Sequence, residues 1–276
     1  MLLLGCLSDI QIWASECLLQ LISRIEDGVL ILALEGPANA LSPYVQAALV
    51  GWYGFSLALI LVMQPANYYY RFVCIKNLTP PSITQSTLLY CLVFVISMPF
   101  GISTYFAFAR SAEVRPGFNY SKLWYNIRPL PVLLPADTRS KYTQLYLAYA
   151  VICFGFAYTT CIYIARLTVV TLRYNQHMFS AKTMQMQAQL STALFIQTAL
   201  PIFTSVGPCM TIAASAFLNM DVGTAGIIMY TCLAWIPFFN PLLTLLIIKP
   251  FRSAVGRILK GETRVGASGG SNGSFY

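Results

Sequence analysis

Charge is scarce in this chain of 276 residues: Asp, Glu, Lys and Arg together make up 9%, against roughly a quarter in an ordinary soluble domain. Hydrophobic residues fill 57% and the mean hydropathy is +0.66. A soluble globule is thereby excluded, because it has too little interior to cover so much apolar surface. Histidine occurs once, as His177, and no CxxC or Cys/His spacing accompanies it, which removes the usual zinc centres. HExxH, GxSxG, a P-loop and paired intramembrane carboxylates are missing as well. The chain reads as a non-enzyme without a cofactor. Its basic residues form no aromatic-interleaved patch, which argues against nucleic acid as a partner.

What the chain has instead is long apolar runs. A bilayer core of ~30 Å takes about 20 residues of helix. Segments of that kind lie near Leu2–Ile22, Tyr44–Phe72, Ser86–Ala109, Thr143–Val170, Leu190–Ala213 and Gly223–Ile248. The first is the weakest, since Asp9, Gln11, Glu16 and Gln20 interrupt it. Val29–Leu34 is too short to span and reads as the loop after that helix. A cleaved signal over Met1–Leu7 fits poorly: there is no cationic start, and Asp9 breaks the run. Met1 therefore stands almost inside a membrane helix.

Lys and Arg asymmetry orients the spans. With the C-terminus inside, the inner stretches hold ten basic residues, Arg71, Lys76, Arg166, Arg173, Lys182, Lys249, Arg252, Arg257, Lys260 and Arg264, against one acid, Glu262. The outer stretches balance seven basic residues (Arg24, Arg110, Arg115, Lys122, Arg128, Arg139, Lys141) with Glu16, Glu26, Asp27, Glu35, Glu113, Asp137 and Asp221. The net charge of +8 is mainly an inside charge, as the positive-inside rule expects. Residues 1–252 then form a bundle in the lipid bilayer. Residues 253–276 form a cytoplasmic tail, disordered from about residue 265, where Gly266–Ser274 is rich in Gly and Ser.

The eight cysteines lie mostly within spans, where free Cys acts as a small hydrophobe. The longest loop, Ser111–Lys141, faces outward and is rich in Pro and aromatics, including Trp124, Tyr125 and Pro135. It has no Cys to pin it to a neighbouring helix. Its Asn119-Tyr120-Ser121 is a glycosylation acceptor if the loop is luminal; Asn77-Leu78-Thr79 and Asn272-Gly273-Ser274 match the same pattern but fall inside.

Polar residues within spans are the candidate functional groups. A carboxylate such as Asp9 is costly there unless it is paired or hydrated, which marks it as functional or as wet near the inner end. Prolines at Pro65, Pro99, Pro201, Pro208, Pro237 and Pro241 remove backbone donors, as membrane helices often tolerate. Asn240-Pro241 joins a side chain able to bond across helices to a loosened backbone. Tyr68-Tyr69-Tyr70-Arg71 closes the second span, with Arg71 either a snorkelling anchor or a switch. A transporter should show internal repeats or broken helices in corresponding positions of two halves, and neither is visible.

QAQLSTALFIQTALPIF followed by PFFNPLLTLLIIKPFR resembles the last two helices of nematode serpentine chemoreceptors, within the Str superfamily and most like the Srd type. Gln197 and Pro201 are spaced as in that family's sixth helix. Pro250-Phe251-Arg252 stands where its seventh ends in Pro-Tyr-Arg. YYYRFVCIKNLTPPS is similar to the close of its third helix, Leu7-Ser8-Asp9 to a Leu-x-Asp element of its second, and Gly36-Pro37 to the Gly-Pro before its third. The resemblance covers nearly the whole chain. Three departures stand out: Ala38 where the family commonly has Cys, Phe251 for Tyr, and nothing corresponding to the first helix.

The resemblance implies an all-α membrane bundle, six helices of a seven-helix G-protein-coupled receptor plan. It further implies a chemosensory function such as olfaction, with a small-molecule ligand entering from outside and a heterotrimeric G protein engaged within. The location implied is the plasma membrane, in sensory cilia. Arg71 with Tyr70 would be the switch, Asn240 and Pro241 the hinge, and Asp9 a polar partner. The outer pocket would use Trp52, Tyr53, Tyr149, Ser205, Tyr230 and Trp235. The rival readings are a six-helix transporter or channel and a non-functional receptor fragment.

Overall fold

The computed structural model describes residues 2–77, 79–125, 131–174 and 207–218, with isolated positions beyond them. Its helices are α1 (Leu2–Leu19), α2 (Pro43–Asn77), α3 (Ile83–Arg110), α4 (Lys141–Tyr174) and α5 (Gly207–Phe217), and its strands are β1 (Leu21–Glu26), β2 (Val29–Leu34) and β3 (Val132–Asp137). Three of the described helices, α2, α3 and α4, are long and apolar enough to cross a bilayer. Each contains the span expected from the sequence and runs on beyond it at both ends. α5 takes in the end of the expected span Leu190–Ala213. The rest of that span, and almost all of Gly223–Ile248, lie outside the described residues.

Of these three, α2 is the most enclosed: 72% of its most apolar stretch is buried, against 44% for α3 and 39% for α4. It starts on Pro43, whose fixed φ suits the first helical turn. α3 starts in a capping box, with Gln85 N–H donating to Ser82 Oγ and Ser82 N–H to Gln85 Oε1. The two helices cross at glycines. A Cβ on Gly101 would lie 2.7 Å from Phe55 Cβ and 3.0 Å from the Gly51 carbonyl, and one on Gly54 would lie 2.6 Å from Thr104 Oγ1. In a bilayer, where helices associate by close packing and not by escape from water, such small-residue seams hold a bundle together.

Two expectations need correction. The first span does not reach Ile22: α1 stops at Leu19, Gln20 takes a left-handed φ of 44°, and the chain turns into β1. Val29–Leu34 is not a loop but the central strand of an antiparallel sheet ordered β1-β2-β3. Asp27 and Gly28 turn the hairpin with φ of 52° and 67°, the paired positive values of a tight turn that matches strand twist. β2 is apolar throughout because both its faces are covered. Leu30, Leu32 and Leu34 join the bundle core, while Val29, Ile31 and Ala33 pack with Trp124.

β3 comes from the long Ser111–Lys141 segment, with Ile31 opposite Pro135 and Val29 opposite Asp137. Pro135 is accommodated because β3 is an edge strand, and Ser111 Oγ bridges that outer edge, donating to the Pro135 carbonyl at 2.9 Å and accepting from Asp137 N–H. The α1–α2 and α3–α4 connections thus meet in one sheet at one end of the bundle. Cys6, Cys17, Cys74, Cys91, Cys153 and Cys161 are free, and Ala38 is buried in the core; the long segment has no Cys and is held by strand pairing.

Candidate functional site

The sheet end carries an ion-pair clasp. Asp137 is fully buried, and Arg115 Nε donates to its Oδ2 at 2.6 Å while Arg115 Nη1 reaches Asp27 Oδ2 at 2.8 Å. Arg139 spans the same two carboxylates from the other side, at 3.2 Å and 3.4 Å. The Arg115 guanidinium lies 4.2 Å from the Phe118 ring centroid and 5.5 Å from that of Tyr120, a cation over aromatic faces. Hydrogen bonding from Arg115 holds the Asp27 carboxyl below the usual carboxylate range. Burial, then the charge of Asp137, pushes the Tyr120 phenol up. Arg24, Arg115 and Arg139 are thus paired with Glu26, Asp27 and Asp137 at this end.

Below the sheet, hydrogen bonds tie α1 to α2. Gln11 Nε2 donates to Ser56 Oγ at 2.7 Å, Ser56 donates to the Trp52 carbonyl, and Ser15 donates to the Gln11 carbonyl. Trp52, Gln11, Ser15, Leu18 and Leu49 line a groove of about 270 Å³ on the wall these two helices form. Across the buried face of α1 from that groove, the half-buried Glu16 carboxylate faces the Tyr53 hydroxyl and the Leu21 backbone N–H. Tyr53 itself is buried. A second groove, of about 530 Å³, opens on another face of α2 between α3 and α4. It is lined by apolar residues such as Val62, Ile96 and Phe156, and by Tyr149, whose hydroxyl donates to the Ile96 carbonyl at 2.6 Å.

The aromatic pocket expected from the sequence is only partly assembled among the described residues. Trp52 and Tyr53 share the α1 side of α2, Tyr149 belongs to the opposite groove, and Trp235 meets Phe238 edge-on and Phe239 at a tilt, at centroid distances of 5.5 Å and 6.0 Å. Ser205, Tyr230, Asn240 and Pro241 lie outside the described residues. At the far end of α2, Arg71 is 8% exposed, beside a cluster of Tyr68, Cys161 and Ile164. α2 continues past it to Asn77. Its side chain is thus turned into the bundle and not out along the surface, while Tyr70 is half-buried. Asp9 is half-buried on α1.

Asn119 is exposed, and its Oδ1 accepts from Ser121 N–H at 3.0 Å at the head of the turn Tyr120–Leu123. Expressed in eukaryotic cells, the chain should carry a glycan that N-glycosidase removes and that Asn119→Gln lacks. Labelling of this segment only after permeabilising cells that display the protein would reverse the topology.

The clasp and Glu16 are the groups that the sequence reading passed over. Asp27-Gly28 between two six-residue apolar runs is a hairpin signal, and it would have brought Asp27 to the turn. The partnership of Arg115 with Asp137 joins residues far apart in sequence and leaves no local trace.

No curated protein matches the chain at a significant level. The family model described as serpentine type 7TM GPCR chemoreceptor Srd matches residues 1–257. That span takes in the apolar helices, the sheet between them and the buried arginine at the end of α2. The chain is a multi-pass membrane protein that belongs to the Srd family of serpentine chemoreceptors.

Proposed function

We propose that the chain is a chemosensory G-protein-coupled receptor that takes a small ligand at the sheet end and signals to a heterotrimeric G protein at the Arg71 end. Family membership over residues 1–257 carries this reading. Residues 1–252 act as the receptor bundle and residues 253–276 as the cytoplasmic tail, with the sheet outside the plasma membrane, in sensory cilia. The ligand site is proposed on the wall of α1 and α2 that holds Trp52 and Tyr53. Ser205, Tyr230 and Trp235 complete the proposed set, whereas Tyr149 would meet a ligand from the groove between α3 and α4.

Arg71 is the proposed switch, together with Tyr70. A guanidinium held in the bundle is costly to leave without polar company, so a change of helix packing at that end redistributes its interactions. Such a group is suited to couple ligand-driven movement to the inner surface. Asn240, Pro241 and Asp9 are the proposed hinge and polar partner.

In cells where the receptor signals, Arg71→Ala should lower G-protein activation about tenfold or more, the scale of a lost coupling free energy of ~1–3 kcal/mol. Surface level should stay near that of the parent chain. Unchanged signalling at equal display would leave Arg71 as a packing residue.

A further inference from the structure

We infer that the ligand carries a protonated amine and that Glu16 is the residue that receives it, an inference that rests on the receptor reading above. Glu16 sits one turn before the end of α1, next to the sheet, on a half-buried face of the bundle wall. Its carboxylate faces the Tyr53 hydroxyl and the Leu21 N–H, yet Oε2 is buried and has no hydrogen-bond partner among the described residues. A carboxylate oxygen withdrawn from water without a donor is a costly arrangement, and it calls for a cation.

Among the described residues no Lys or Arg bonds to that oxygen, and Lys122 and Lys141 are exposed. Between Thr183 and Ile248, the stretch that holds both remaining expected spans, there is no Lys, Arg or His. At the sheet end, Arg115 and Arg139 are engaged by Asp27 and Asp137. Arg24 is bound to Glu26 and lies over the Tyr125 ring, and Arg110 lies over Phe106. The basic residues of α2 and of the inner half of α4, namely Arg71, Lys76, Arg166 and Arg173, fall toward the end away from the sheet. An unmatched acid beside the ligand end of a receptor is complementary to a ligand that brings its own positive charge. Tyr53, buried beside the carboxylate and aromatic, is suited to contact the same ammonium group.

The probe is a series of primary alkylamines with the alcohols of the same chain lengths, applied to the purified full chain in nanodiscs and read as a shift in unfolding temperature. Amines should raise that temperature and the matched alcohols should not. Glu16→Gln keeps the shape and the bond to Tyr53 but removes the charge, and it should weaken amine binding about tenfold to a hundredfold, the worth of one charged hydrogen bond. If that variant fails to fold, Glu16→Asp should fold and bind amines more weakly than the parent chain. Equal shifts from alcohols, no amine shift in the parent chain, or full amine binding by the charge-free variant overturns the inference. Because no G protein enters this assay, its failure leaves the receptor reading intact. Amine binding without any ligand-dependent G-protein recruitment would instead sink that reading.

Discussion

Replacing Arg115 with methionine should make the segment from Ser111 to Ser140 open on the order of 100-fold more often. Asp137 is fully buried, and the 2.6 Å bond from Arg115 Nε is its shortest partner. Breaking a buried pair by removing one member costs ~3–5 kcal/mol. Here Arg139 remains at 3.4 Å and is partly exposed, so about 2–3 kcal/mol is expected, which converts to that change in opening. Hydrogen exchange of the β3 amides, or protease cutting of the segment in intact cells, reads it directly. Exchange equal to that of the parent chain would show that strand pairing alone holds the segment. Acid should act in the same direction. Because pairing lowers the Asp27 pKa below its unfolded value, its contribution is complete above the ordinary carboxylate range and is lost as pH falls through the lowered value.

Gly101→Val should abolish surface display. Even a methyl group at Gly101 meets Phe55 Cβ at 2.7 Å and the Gly51 carbonyl at 3.0 Å. These atoms belong to the backbone of α2 or stand one bond from it, so relief requires the helices to part. Overpacking of this kind costs ~1–3 kcal/mol for small insertions, and a branched side chain adds to it. In lipid, helices forced apart gain no compensating drive to reassociate. Cell-surface staining should rank the parent chain above Gly101→Ala and Gly101→Val last, with the protein retained inside the cell. Normal display of the valine form would mean that the α2–α3 seam is not close-packed.

The spans were legible because a membrane helix announces itself by length and apolarity alone: Tyr44–Phe72 lies within α2 and Thr143–Val170 within α4. The sheet was harder to read. Val29–Leu34 is covered on both faces, so its apolar run lacks the alternation that marks a half-buried strand. Its partner β3 lies about a hundred residues away behind a proline that argues against a strand. The site was legible only in part. Arg71 and Tyr53 were singled out by residue type and position, and the structure shows both to be buried. Glu16 was read as an interruption of the first span, because its facing partner on α2 appears only when the helices pack. Trp52 and Tyr149 were grouped in one outer pocket, but they line separate grooves, the first between α1 and α2 and the second between α3 and α4.

As proposed, the chain signals and does not transport. Reconstituted in vesicles with a heterotrimeric G protein, the full chain should promote nucleotide exchange on the G protein when an activating compound from a chemical panel is added. That compound should not be carried across the vesicle membrane. Substrate-dependent flux across the vesicles, with no compound in the panel stimulating exchange, would contradict the account.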